Sequence, residues 1–213
     1  MQQLNVAREA WSILGGILLV ALVFYATGWY GPAVSLVLAA GAAAWLFRDP
    51  RLNARYAPMD VTSPCHGVCT GVSFEYDPWV ERRARRVDLT MGVFASYRVY
   101  APTEAKIVDV RHRRDGRRWR RLDIWLRTDE DDDVVLRLAQ RWPARLRLDY
   151  APGERIGHGR PIGFAPLGAR CALLLPETVT DVVEPGAGVR APVTALARLN
   201  RDSAAGRGAA APA

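Results

Sequence analysis

Residues 10–47 carry no charged side chain, a gap of 38 positions in a chain that is 24% charged overall. No ordinary solvated surface is that uniformly apolar over such a length. Lysine is almost missing as well, with Lys106 alone against 28 arginines. The cysteines number three, which excludes a self-contained disulfide scaffold and suggests a reducing compartment. Between Pro152 and Glu177 there is no serine or threonine, so that stretch offers no hydroxyl nucleophile. What is present is 50% hydrophobic and carries a net charge of +7. That composition excludes a disordered chain, and 213 residues suit one domain with an accessory segment.

The uncharged run is too long for a cleaved signal peptide. A membrane span takes about 20 apolar residues, so 38 amount to nearly two. Gly28-Trp29-Tyr30-Gly31-Pro32 breaks it with turn residues and interfacial aromatics. The pattern predicts a transmembrane hairpin with helices at 11–27 and 33–47. A single tilted helix with a re-entrant segment is the alternative. Gly41 and the alanines at 39, 40, 42, 43 and 44 are expected to let the helices approach closely. Arg8 and Arg48, Arg51 and Arg55 flank the hairpin, and the positive-inside rule makes their side cytoplasmic. Residues 1–9 form a cytoplasmic N-terminus in this reading, 10–47 the hairpin, 48–199 a cytoplasmic β-rich domain and 200–213 a disordered tail.

From residue 56 onward helical periodicity gives way to short β-type runs. They fall at 87–90, 93–100, 106–110, 122–127, 134–138, 145–150, 171–175 and 178–183. Pro152-Gly153-Glu154 and Pro185-Gly186-Ala187-Gly188 are similar turns, each followed by a short β-type run, which hints at a duplicated unit. The residues predict a mainly β domain.

Seven arginines crowd one candidate hairpin: Arg111, Arg113, Arg114, Arg117, Arg118, Arg120 and Arg121, around an Asp115-Gly116 turn. Contact with an anionic leaflet and simple solvation weigh equally. Nucleic acid, contacted through phosphates and Trp119, ranks below both. Asp129–Asp133 and Glu130 among them read as a solvated acidic loop balancing nearby arginines rather than a cation site. His112 and His158 sit in polar surroundings and are expected to be exposed.

The order of several short motifs resembles the short bacterial form of phosphatidylserine decarboxylase over about 190 residues (10–199). They are Phe47-Arg48-Asp49-Pro50, Ser63-Pro64-Cys65-His66-Gly67, the 93–102 strand ending in Pro102, Pro152-Gly153-Glu154-Arg155-Ile156-Gly157, and 162–170 with its Leu173-Leu174-Leu175-Pro176 sequel. The resemblance implies a compact β-sheet domain of lipoyl/biotinyl-like units behind the membrane hairpin. It also implies an enzyme that cleaves itself at a serine and keeps a pyruvoyl group there, an electrophile that serves as electron sink in decarboxylation.

The positions that carry this chemistry in the family differ here. Ala169, between Gly168 and Arg170, stands at the serine; His66 stands at the aspartate; Tyr97 and Tyr100 stand at two histidines. No pyruvoyl group, and no other cofactor or metal, is therefore expected. The implied function is a pseudoenzyme at the bacterial inner membrane, facing the cytoplasm and binding anionic phospholipid or a partner. One alternative is a lipid-processing enzyme of phosphatidylethanolamine biosynthesis using other chemistry, through Cys65 or Cys171, a carboxy-lyase in class. Another is a scaffold for an active paralogue or a homo-oligomer. Cys65, His66 and Cys171 are also the candidates for a thiol or metal site, with buried structural cysteines as the default.

Overall fold

The computed structural model describes residues 5–6, 8–46, 48–49, 57, 59–92, 96–116, 118–141, 145–166 and 168–200. They fall into two compact units, Met1–Arg51 and Leu52–Ala213. The tail expected to be disordered lies, apart from Asn200, outside the described residues.

The first unit is a helical hairpin closed at its base by a two-residue ladder. β1 (Asn5–Val6) pairs antiparallel with β2 (Arg48–Asp49), between which run α1 (Arg8–Ala26) and α2 (Tyr30–Leu46). The break falls at residues 27–29, and Gly31 and Pro32 lie inside the first turn of α2, where the missing proline amide costs no helical bond. Close approach is made by Ala21, Ala33 and Ala40. The expected Ala39, Gly41 and Ala42 are exposed, because helical spacing brings only every third or fourth residue to the seam. Side chains at 43 and 44 lie outside the described set.

The expected pair of spans is corrected. No helix among the described residues is long and apolar enough to cross a membrane. The 19-residue α1 begins with the charged Arg8 and Glu9, and the 17-residue α2 reaches only about 26 Å against a hydrocarbon core of about 30 Å. Leu19, Leu22, Val34 and Leu38 are nevertheless exposed, each by more than half of its surface.

The second unit is β throughout. Its eight-stranded antiparallel sheet runs β11 (Arg155–Ile156), β7 (Ala105–Asp115), β8 (Trp119–Arg127), β9 (Asp133–Arg141), β13 (Arg170–Pro176), β5 (Arg82–Met91), β4 (Gly67–Asp77) and β14 (Gly188–Val189). Two small sheets accompany it. One is β10 (Arg147–Leu148), β12 (Pro161–Phe164) and β6 (Arg98–Tyr100); the other is β15 (Ala195–Arg198) with β3 (Asp60–Thr62). The central β13 is apolar on both faces, which explains its unbroken run. Cys171, Leu173 and Leu175 enter the main core with Leu89, Ile124 and Leu136, while Ala172 and Leu174 join a smaller cluster with Val135 and Ala84 under Trp79 and Trp125.

The sheet reads the same from both edges. β4 and β7 are each 11 residues long, each opens a hairpin, and each bulges near its start, at Cys69/Gly71 and at Ile107/Asp109. Each is flanked by a two-residue edge strand delivered by a Pro-Gly turn. Both turn glycines need positive φ, +94° at Gly153 and +90° at Gly186. The Gly153 amide donates to the Ile107 carbonyl at 2.8 Å and the Gly186 amide to the Cys69 carbonyl at 2.7 Å. One β unit, residues 98–164, is thus inserted between β5 and β13 of its counterpart.

Three expectations need amending. The 145–150 run shrinks to the two residues of β10, and 178–183 holds only an isolated bridge between Thr180 and Arg198. β4 was not anticipated, because its exposed Phe74 and Tyr76 blur the apolar alternation.

Candidate functional site

Four distant segments meet around Ala169. The Ser63-Pro64-Cys65-His66-Gly67 element enters β4, and Gly67 faces Met91 across the β4–β5 ladder. The Met91 amide donates to the Ala169 carbonyl at 3.1 Å, and the Gly92 amide to the His66 carbonyl at 3.2 Å. The Tyr100 amide donates to the Pro64 carbonyl at 2.8 Å, and the His66 and Tyr100 rings meet edge to face with centroids 6.2 Å apart. Tyr97 packs edge to face on Phe164 at 6.0 Å, and burial pushes its phenol pKa up. The segments carrying His66, Tyr100 and Ala169 are thus tied together by backbone bonds, and the Tyr97 carbonyl accepts from the Ala165 amide at 2.8 Å.

Ala169 is 1% exposed and contributes a methyl group to the main core. Gly168 precedes it at φ +67°, and Arg170 turns to the opposite face of the sheet, its guanidinium 5.1 Å from the Trp119 ring centre.

The thiols lie beneath. Cys65, Cys69 and Cys171 are all free and buried. Cys69 and Cys171 flank Leu89 in register on neighbouring strands. Cys171 shares a hydrogen bond with Cys65, and that bond together with burial drives the Cys171 pKa well above its ordinary value. Burial also raises Cys69, against the opposing hydrogen bond to the Gly71 carbonyl. Thiols held this way stay protonated and unreactive at neutral pH. No group of three or more His, Cys, Asp or Glu able to hold a metal occurs among the described residues. His112 is exposed, but His158 is half-buried with its Nε2 2.9 Å from the Thr62 hydroxyl, contrary to expectation.

On the other face a groove of about 700 Å³ opens beside Arg170. Its floor is an ion ladder across the sheet. Arg86 reaches Glu75 at 2.6 Å and Asp88 at 2.8 Å, and Arg137 reaches Glu75 at 3.0 Å and Asp77 at 2.9 Å. Burial raises the Glu75 carboxyl, but hydrogen bonds and charge from Arg86 and Arg137 outweigh it and hold the pKa below its usual value. Arg170 also lines the groove and has no acidic partner among the described residues. The sequence reading missed this groove. Its signal is a charged residue set between apolar neighbours, as in Leu136-Arg137-Leu138 and Val87-Asp88-Leu89, which places charge on the face away from the core.

The arginine-rich stretch is a hairpin, β7–β8, as expected. Arg111 lies 4.5 Å over the Trp79 ring and pairs with Asp109 at 3.2 Å, and Arg121 pairs with Asp123 at 2.9 Å. Arg113 stands directly opposite Arg121, and Arg114 opposite Arg120. Arg117 lies outside the described residues. The acidic loop balances arginines as expected: Asp133 accepts from Arg127 at 2.9 Å and Asp129 pairs with Arg155.

Comparison with known proteins finds relatives over nearly the whole chain. A phosphatidylserine decarboxylase proenzyme of Ralstonia nicotianae is 30% identical over 206 residues, covering 92% of this chain and 96% of that protein. The protein of the same name from Nitrosomonas eutropha is 30% identical over 207 residues, covering 91% and 95%. A third, from Burkholderia multivorans, is 27% identical over 207 residues, covering 92% and 97%. No protein-family model and no solved structure matches.

Proposed function

Because the chain belongs to the phosphatidylserine decarboxylase family, we propose that it is a pseudoenzyme of that family, which binds phospholipid or a partner without decarboxylating it. Ala169 carries the reading. A pyruvoyl group is made from a residue with a β-oxygen, and a methyl group has none, so the residues present do not fit that group. The positions of the assisting groups are also altered, to His66, Tyr97 and Tyr100. The edge-to-edge symmetry of the sheet supports the reading of the β domain as two lipoyl/biotinyl-like units.

Membrane association rests on the hairpin. Its exposed Leu19, Leu22, Val34 and Leu38 form a lipid-compatible surface, and Tyr25, Trp29 and Tyr30 cluster at its turn. Arg8 and Arg48 at its base suit an anionic leaflet, which favours the cytoplasmic face of a bacterial inner membrane for the protein. Thiol chemistry at Cys65 or Cys171 is the competing reading. Burial and the raised Cys171 pKa argue against it.

Intact-mass analysis of the membrane-expressed protein tests the proposal. We expect a single species of 23.5 kDa, with no turnover of phosphatidylserine. Fragments divided between Gly168 and Ala169 would overturn it. Turnover that Cys171→Ala abolishes would transfer support to thiol chemistry.

A further inference from the structure

We propose that the tip of the β7–β8 hairpin docks on an anionic phospholipid surface through Arg113, Arg114, Arg118 and Arg120. The hairpin carries an electrostatic cost. Residues directly opposed on antiparallel strands hold their Cβ atoms about 5 Å apart, and like charges there repel. This hairpin places Arg113 against Arg121 and Arg114 against Arg120 in successive pairs. Several arginines of the domain are neutralised: Arg86, Arg127 and Arg137 each hold a carboxylate within 3.0 Å, and within the hairpin itself Arg121 holds Asp123 at 2.9 Å. Arg113, Arg114, Arg118 and Arg120 have no acidic partner among the described residues. Four unneutralised cations in adjacent positions are stable next to anions supplied from outside.

The shape suits phosphate. His112, Arg113, Arg114, Arg120, Arg121 and Leu146 line a notch of about 230 Å³, wide enough for a headgroup phosphate, and the two arginine pairs present guanidinium donors on both faces of the ribbon. Arg113, Arg114 and Arg118 are exposed. A single-stranded nucleic acid would use the same charges but also needs an aromatic platform. Trp119, the aromatic ring next to the hairpin tip, stacks under the Arg170 guanidinium 5.1 Å from its centre, and Trp125 on the same strand packs edge to face on Trp79. The platform is taken, and lipid is favoured over RNA.

The test uses the full chain, in which the apolar hairpin supplies a built-in baseline. Flotation is measured with vesicles of neutral phosphatidylcholine and with vesicles containing phosphatidylglycerol, at low and high salt. Each arginine near an anionic surface strengthens partitioning about fivefold. We expect wild type to prefer anionic vesicles by up to about 600-fold at low salt, and to lose that preference near 1 M salt, where the Debye length falls to about 3 Å. The combined variant Arg113→Gln, Arg114→Gln, Arg118→Gln and Arg120→Gln should lose the preference at every salt. The same four positions changed to Lys should keep it, as should any variant that retains the charge.

Equal binding to both neutral and anionic vesicles by the Gln variant, with unaltered far-UV circular dichroism, distinguishes lost docking from misfolding. A wild type indifferent to phosphatidylglycerol, or a Gln variant that still prefers it, would overturn the proposal. So would tight binding of a single-stranded RNA that the Gln variant loses while no lipid preference exists. The neutral-vesicle arm reads the apolar hairpin alone, so failure of membrane association through that hairpin is seen separately.

Discussion

Gly67 sits where no other residue fits. A Cβ added there would lie 2.0 Å from the Thr90 carbonyl oxygen and 2.8 Å from its carbon, both backbone atoms that cannot swing aside. Gly67→Ala therefore forces β4 and β5 apart beside Met91 and Ala169. We expect a loss of about 3 kcal/mol by denaturant titration, at the upper end for overpacking. Gly71, four residues on, has open space around its missing Cβ, and Gly71→Ala should cost under about 1 kcal/mol. At this scale Ala169 was legible from the sequence, since chemistry that needs an oxygen fails wherever none is encoded. The contact between Cys65 and Cys171 was legible only in part. Both were expected near Ala169, but alternation along one strand cannot say which face a residue on another strand shares.

The turn between β11 and β12 carries a titrating element. His158 bonds to Thr62 at the end of β3, so burial lowers its pKa from 6.5, while Asp60 and Glu104 pull weakly the other way. A folded pKa below the unfolded one means that the unfolded chain binds the proton first as pH falls. Stability from this group is complete above pH 6.5 and declines below it, down to the folded pKa. We expect the denaturation midpoint to drop between pH 7.5 and pH 5.5, and His158→Gln to flatten that slope. A midpoint equally pH-dependent in the variant would remove His158 as the cause. The sequence placed this histidine at the surface because its neighbours Gly157, Gly159 and Arg160 are polar or small. What buries it is a strand nearly 100 residues away, beyond the reach of local composition.

Across the whole β domain, the two pseudo-symmetric units share one sheet, with β9 of the inserted unit paired to β13 of the other. The ion ladder crosses that seam, from Arg137 on β9 to Glu75 and Asp77 on β4. Arg137 is 8% exposed and Asp77 1%, so removing one partner strands a buried charge. Arg137→Ala should cost about 3–5 kcal/mol. Because hydrogen bonds and charges both bridge the units, unfolding should remain one transition, with tryptophan fluorescence and far-UV circular dichroism coinciding. Separate transitions for the two units would show that the seam does not couple them.

Composition and local pattern alone determined where the apolar hairpin begins and ends, that the remainder is β, and that residue 169 cannot supply a hydroxyl. These are properties of single residues or of neighbours along the chain, which periodicity and chemistry report directly. The tertiary structure decided the rest. It set the helices at 19 and 17 residues, neither long and apolar enough to cross a membrane, raised two Pro-Gly turns into a duplicated architecture, gathered the thiols under Ala169 and opened a charged groove behind Arg170. Each of these depends on strand register between residues tens of positions apart, and register follows from the summed packing of a whole sheet rather than from any one segment.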